Sequence, residues 1–257
     1  MTESISSSTV RRWLHASVIK PWRHRSWIFP RDPDFAVKAA RVLDLYARKW
    51  DGVALGPDDY VISADEKSQL QALSRLHPDL PAGRGRVRRV EFEYERGGTL
   101  AYMGAYDVHA ARLIGTVAAK TGIVAFEALA ARVMTMEPYV SARRVFWVVD
   151  NGSSHRGQTA VDRMTRAWPT AQLVHLPVHA SWLNQIEVDF SIIQRKVIKP
   201  ADFADLAALA DRLERFEDRY NATARPFDWR FTRADLAVML ERLDAHHRVT
   251  GGIPLAA

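Results

Sequence analysis

Apolar positions follow two rhythms along the 257-residue chain. Helical spacing, with apolar residues every three to four positions, marks seven segments: SISSSTVRRWLHAS (4–17), DPDFAVKAARVLDLYARKW (32–50), TGIVAFEALAARVMTM (121–136), HRGQTAVDRMTRAWP (155–169), a stretch from Asn184 through QIEVDFSIIQRKVI, DFADLAALADRLERFEDRYN (202–221) and TRADLAVMLERLDAHHR (232–248). Short continuous apolar runs lie between them. DYVISAD (59–65), RVFWVVD (144–150) and AQLVHLP (171–177) have the pattern of strands buried on both faces. TLAYMGAYDV (99–108) and RLIGTVAA (112–119) flank a turn near His109 and read as a hairpin. The order from residue 58 is β, β, β, α, β, α, β, α. A hairpin implies antiparallel pairing and the later alternation implies parallel crossovers. The prediction is an α/β fold with a mixed sheet and helices on both faces.

Charge adds a partner to this picture. The formal net charge is +6, which favours a polyanion. TVRRWLHASVIKPWRHRSWIFPR (9–31) carries Arg11, Arg12, Lys20, Arg23, Arg25 and Arg31 with no acid, interleaved with Trp13, Trp22 and Trp27. Cations neutralise phosphates and flat rings stack on sugars or bases, so this arm is a candidate nucleic-acid contact. The chain has no cysteine, which removes disulfides and thiolate metal sites and leaves oxygen or histidine as ligands. No apolar run is long enough to span a bilayer and no apolar signal region opens the chain, so no membrane partner and an intracellular location are expected.

Two strand-like runs finish in the same way. VISAD ends on Asp65 and FWVVD on Asp150. On neighbouring strands of one sense, the two carboxylates would meet at one edge of the sheet. Like charges that close repel, and a cation between them resolves the conflict; magnesium, with its preference for oxygen ligands, suits such a site. A turn sequence, Asp-Asn-Gly, is the alternative account of Asp150. A third acid is available in NQIEVDF. Ile186, Phe190, Ile193 and Val197 share one helical face, with Glu187 roughly 100° to one side of Ile186 and Asp189 roughly 60° to the other. Periodicity does not choose between them.

Three motifs together carry a resemblance. PVHASWLNQIEVDFSIIQRK is similar to the last catalytic motif of DDE transposases of the Tc/mariner superfamily, in particular the insertion-sequence group called IS-six-thirty. ISADEKSQLQAL resembles the first motif and VFWVVDNGSSH the second, and 36 residues separate Asp150 from Glu187. YERGGTLAYMGAYDVHAARLIG resembles the family's hairpin, and FEDRYNATARPFDWRFT its C-terminal helix and tail. The likeness implies an RNase H-like five-stranded fold and a triad of Asp65, Asp150 and Glu187 as both catalytic residues and metal ligands. It further implies two Mg2+ (or Mn2+) ions, with Asp65 bridging both. The expected chemistry is hydrolytic strand cleavage followed by attack of the freed 3′-hydroxyl on target DNA. The expected partners are double-stranded DNA at the element ends and at a target, with TA dinucleotides as the family's insertion site, and a second copy in a homodimer. The expected place is a bacterial cytoplasm, at the nucleoid when bound.

Accessory roles attach to several neighbours. Lys67 could reach a DNA phosphate. Asn151 and His155 could order metal-bound water or touch the strand. His179 and Trp182 precede the catalytic helix, where Trp182 could stack on DNA or anchor the helix start. Members of the family begin with about two helix-turn-helix units, and only the last recognition-type helix has a counterpart here. The division expected is therefore a truncated helix-turn-helix remnant and basic arm over 1–31, a connecting helix over 32–57, the catalytic domain over 58–200 and C-terminal helices over 201–257. The alternatives in function are an RNase H-like nuclease that does not join strands, and a shortened DNA-binding relic without catalysis.

Overall fold

Two layers of helices enclose one sheet in the computed structural model, which describes residues 6–16, 30–199 and 201–250. The elements run α1 (Ser7–Ala16), α2 (Phe35–Tyr46), a short pair β1 (Lys49–Trp50) and β2 (Val53–Ala54), β3 (Asp59–Arg75), β4 (Tyr94–Asp107), β5 (Arg112–Ala118), α3 (Ile123–Met134), β6 (Arg144–Val149), α4 (Gly157–Ala167), β7 (Ala171–His175), α5 (Ile186–Ile193), α6 (Leu206–Asn221) and α7 (Arg233–Thr250). The main sheet has the order β5-β4-β3-β6-β7. β3, β4 and β5 are antiparallel neighbours, while β3, β6 and β7 are parallel. This is the mixed five-stranded sheet flanked by helices that the sequence predicts.

The dry run at β6 explains why the sheet is central. Alternate side chains of a strand face opposite ways. Phe146 and Val148 enter a core shared with α2, α5, α6 and α7, whereas Val145, Trp147 and Val149 enter a second core under α3 and α4. All five are fully buried. At about 1.5–3 kcal/mol per large apolar side chain buried, this segment has no competitive place on the surface. The first core joins α2, α6 and α7 to α5, so residues on both sides of positions 57/58 and 200/201 pack together.

Three elements differ from the sequence reading. β3 does not stop at Asp65 but continues to Arg75, paired with β4 from Tyr94. β6 pairs with β3 only as far as Ser63, so the remainder is a two-stranded ribbon leaving the sheet. Its base buries Leu70, Ala72 and Leu100, and its outer part is exposed with Leu76, Leu80, Val87, Val90 and Phe92 scattered singly, so no continuous apolar run betrays it. The helix expected over 32–50 ends at Tyr46, because Arg48, just past the C-cap Ala47, turns to a left-handed φ of 56°; Asp51 and Gly52, at 48° and 81°, then close the β1–β2 turn. The catalytic-side helix begins after a 3-10 turn at Ser181–Leu183 and continues past Ile193 as a π turn, Gln194–Ile198.

Candidate active site

Strand register brings the first two acids together. Ser63 pairs with Val148 in the last rung of the parallel β3–β6 ladder, and the same register carried two residues on sets Asp65 beside Asp150, whose charge it feels. Ser63 and Val148 face the α5 side, and Asp65 and Asp150, two residues further, face it too. Asp65 is buried; Asp150, just past the end of β6, is half-buried.

Each carboxylate is held by one set of donors. Asp150 Oδ1 accepts from the Gly152 N–H at 2.7 Å and from His155 Nε2. His155 is fully buried against the Phe126 ring, and its Nδ1 takes the Ser154 hydroxyl at 2.9 Å. Since an ionised carboxylate only accepts, Nε2 carries the proton. A Cβ at Gly152 would lie 2.9 Å from Asp150 Oδ1 and 3.1 Å from His155 Nε2, so glycine permits this closure. Asp65 Oδ1 accepts from the Glu66 N–H at 2.8 Å, and its Oδ2 from Asn184 Nδ2 at 3.2 Å.

The third acid arrives on α5. Ile186, Phe190, Ile193 and Val197 are all buried, as their spacing predicts. Gly104 is the cross-strand partner of Asp65, and a Cβ there would stand 2.8 Å from Phe190 and 3.1 Å from Ile186. The missing side chain lets α5 lie directly on the sheet beside Asp65. A polar chain fixes the register of the helix: the Ile186 N–H donates to Ser63 Oγ at 3.0 Å, Ser63 Oγ donates to Asn184 Oδ1, and Asn184 Nδ2 donates to the Ala64 carbonyl at 3.1 Å as well as to Asp65. From behind, Tyr46 of α2 holds the preceding loop through the Leu183 carbonyl at 2.8 Å. Ser63, Gly104 and Asn184 were not singled out from sequence. Their signal was weak: a polar residue inside a strand, a glycine inside another and an asparagine ahead of a helix.

The structure chooses between the two acids of α5. Glu187 is exposed on the side of Asp65, Asp150 and Lys67, with which it interacts electrostatically. Asp189 is fully buried, and neither of its oxygens has a hydrogen-bond partner; Tyr220 faces it without closing a bond of good geometry.

The charge balance suits a cation. Burial, then the Asp150 charge, push the Asp65 carboxyl up to about 7, with Glu187 adding to the effect. Burial also raises Glu187, against the pull of Lys67. Burial would raise Asp150 as well, but the His155 hydrogen bond and the Gly152 N–H bring it below its usual value. The donor set is three carboxylates, which fits a hard, oxygen-seeking divalent ion. Among the described residues no three acids or histidines close into a ready-made metal cage; Glu187, long and exposed, is the arm with freedom to complete one.

The accessory residues fall out differently. Lys67 places its ammonium 5.9 Å from the Phe190 ring centroid beside Glu187, and burial lowers its pKa. His155 does not face solvent or a strand; burial makes it the holder of Asp150. Asn151 uses its amide on the Leu176 carbonyl at 2.8 Å, tying the loop to the end of β7 instead of facing outward. Trp182 packs edge-on against Phe231 at 5.1 Å while staying partly exposed, which supports anchoring. His179 is exposed at a turn with φ 61°. Arg12 is exposed on α1. The side chain of Arg11, and Lys20, Arg23 and Arg25, lie outside the described residues.

Known proteins agree with this frame. Residues 61–210, over half of the chain and including all three acids, match the family model of the DDE superfamily endonucleases. Two solved structures superpose with a TM-score of 0.57 at 12% identity, each over 93% of this chain: the Mos1 mariner paired-end complex with Mn (69% of that chain) and the Mos1 strand transfer complex (68%). The Mos1 transposase paired-end complex with the left transposon end gives 0.55 at 14% identity, over 93% of this chain and 69% of that one. The shared fold is the RNase H-like one. No curated protein matches the sequence.

Proposed function

The chain belongs to the DDE superfamily of endonucleases, and on that premise we propose that it is a DNA transposase of the Tc/mariner type, cutting DNA and joining the freed 3′-end to a target. The observation that carries this reading is the convergence of Asp65, Asp150 and Glu187 on one edge of the sheet, from two parallel strands and a helix seated on Gly104. The three acids would hold divalent ions; the structural neighbours include a Mos1 complex with Mn. When bound, such ions activate the attacking oxygen and stabilise the leaving 3′-oxygen in an in-line displacement.

The protein's own part is position. Asn184 and the Glu66 N–H fix Asp65, and His155 and the Gly152 N–H fix Asp150. With Oδ1 engaged, Asp150 would keep Oδ2 for a metal ion. Lys67, beside Glu187, would meet a phosphate oxygen entering the site. A pre-set arrangement of this kind lowers the barrier because little reorganisation is left for the reaction. The finer expectations belong to the same proposal: two ions, a homodimer that pairs two DNA ends, double-stranded DNA gripped by the basic arm of 1–31, and action at a bacterial nucleoid. No described helix is long and apolar enough to cross a membrane.

The test is cleavage and joining of labelled element-end duplexes in Mg2+ or Mn2+. Wild type is expected to nick the duplex and to join 3′-ends to a target plasmid. Glu187→Ala should do neither while still binding DNA, and cleavage retained in that variant would sink the triad. Cleavage without joining would favour a nuclease instead.

A further inference from the structure

A second charged feature lies away from the carboxylates. The π turn that follows α5 and the outer face of α6 enclose a groove of about 250 Å³. Lys196 lines it from the π turn; Arg212, Arg215 and Arg219 line it from α6, together with Phe216. The cations are not there by average composition. On α6 the residues 212, 215 and 219 fall on one face, whereas the exposed acids Asp211, Glu214 and Asp218 fall on a stripe roughly 60–100° away. Of the four cations Arg215 reaches an acid, Asp211 at 3.0 Å. Among the described residues Lys196, Arg212 and Arg219 have no ion-pair partner. Exposed cations sorted onto one groove, beside an aromatic ring, are a footprint for a phosphate backbone.

The groove lies across α5 from the candidate active site, on the Asp189 side, where Tyr220 both faces Asp189 and lines the groove. Ser191 Oγ donates to the Glu187 carbonyl and Arg195 Nε to the Ser191 carbonyl, so Glu187, Ser191 and Arg195 follow one another along the exposed face of α5. Eight residues of helix carry this path about 12 Å. The π turn, closed by the Lys199 N–H on the Gln194 carbonyl at 3.0 Å, then presents Lys196 to α6. A duplex turn is about 34 Å long, so one piece of DNA can engage the carboxylates and the groove together.

We propose that the groove between the π turn and α6 is a second contact for the DNA sugar-phosphate backbone, outside the cleavage site. The inference rests on the DNA-cleaving reading above. It assigns Lys196, Arg212 and Arg219 to sequence-independent grip, with Arg215 held in line by Asp211.

The experiment is the salt dependence of duplex binding by the full chain, read by fluorescence anisotropy between 50 and 300 mM KCl. Each phosphate neutralised contributes about 0.9 to the slope of log K against log salt. The triple variant Lys196→Gln/Arg212→Gln/Arg219→Gln is expected to lower the magnitude of the slope by about 2–3, and the single variants Arg212→Gln and Arg219→Gln by about 1 each. A pair of exposed cations on the other face of the sheet, Arg166→Gln and Lys120→Gln, should leave it unchanged. An unchanged slope in the groove variants, with wild type binding and cutting DNA, overturns this inference alone. An equal change in the Arg166/Lys120 control also overturns it, because the effect is then net charge. A wild-type chain that binds and cuts no DNA overturns the proposed function, and this inference with it. The single variants alter exposed groups only, so they report even if the triple variant does not fold.

Discussion

Replacing Asp189 by asparagine should stabilise the protein, and only above acid pH. Asp189 is fully buried on α5 with neither oxygen bonded, and burial raises its pKa from the usual 3.8 to about 7. Between these values the unfolded chain has released the proton and the folded chain still holds it. Stability therefore falls as pH rises from about 4 to about 7, and the loss persists above that. Each tenfold in acid dissociation is about 1.36 kcal/mol, so the full gap amounts to about 4 kcal/mol and the part between pH 5 and pH 8.5 to about 2–3 kcal/mol. An asparagine side chain has the same shape and no charge. Urea denaturation of both proteins in EDTA should give free energies within about 2 kcal/mol of one another at pH 5, with the asparagine variant pulling ahead by a further 2–3 kcal/mol or so at pH 8.5. The same variant should keep Mg2+-dependent cleavage, in contrast to Glu187→Ala. A stability difference that does not change with pH would refute the buried-charge reasoning, and loss of cleavage in a stably folded Asp189→Asn protein would return Asp189 to the ligand set.

Three further outcomes follow from particular contacts. His155→Ala frees Asp150 Oδ1 and should cut the cleavage rate by about tenfold or more while DNA affinity holds; an unchanged rate with unchanged metal dependence would show that the buried imidazole only fills space. Gly104→Val puts side chain where Phe190 and Ile186 sit, so α5 must lift; a loss of about 1–3 kcal/mol in denaturation is expected along with lost cleavage, and a variant as stable and active as wild type would contradict the close seating. Asp59 is buried beneath Arg144 and Arg143 and also accepts the Gly56 N–H, and these bonds hold its pKa well below 3.8. Its contribution is present above the unfolded pKa and fades as pH falls through the lower folded one, so Asp59→Asn should cost about 2–3 kcal/mol at pH 7 and progressively less toward pH 2 in thermal or urea melts.

The sequence by itself determined the sheet and two of the three acids' settings. An unbroken run such as Val145–Val149 can be buried in only one way, between two helical layers, and a polar residue at its end must come out at the sheet's edge. The apolar face of Ile186, Phe190, Ile193 and Val197 likewise fixed which side of α5 meets the core, because helical spacing is a local property. Glu187 and Asp189 remained equivalent under that rule, since both flank the face; only the position of α6 and of Tyr220 decided that one is buried and the other open. The exposed β3–β4 ribbon and the early end of α2 were invisible for the opposite reason: they rest on backbone pairing and turn dihedrals, which leave little trace in hydrophobicity. Two supports of the site, Ser63 to Asn184 and Gly104 beneath Phe190, join residues on separate elements far apart in the chain, whereas His155 reaches Asp150 within one loop. No local pattern encodes the two long-range contacts, so tertiary packing brought the separate acids into one candidate metal site.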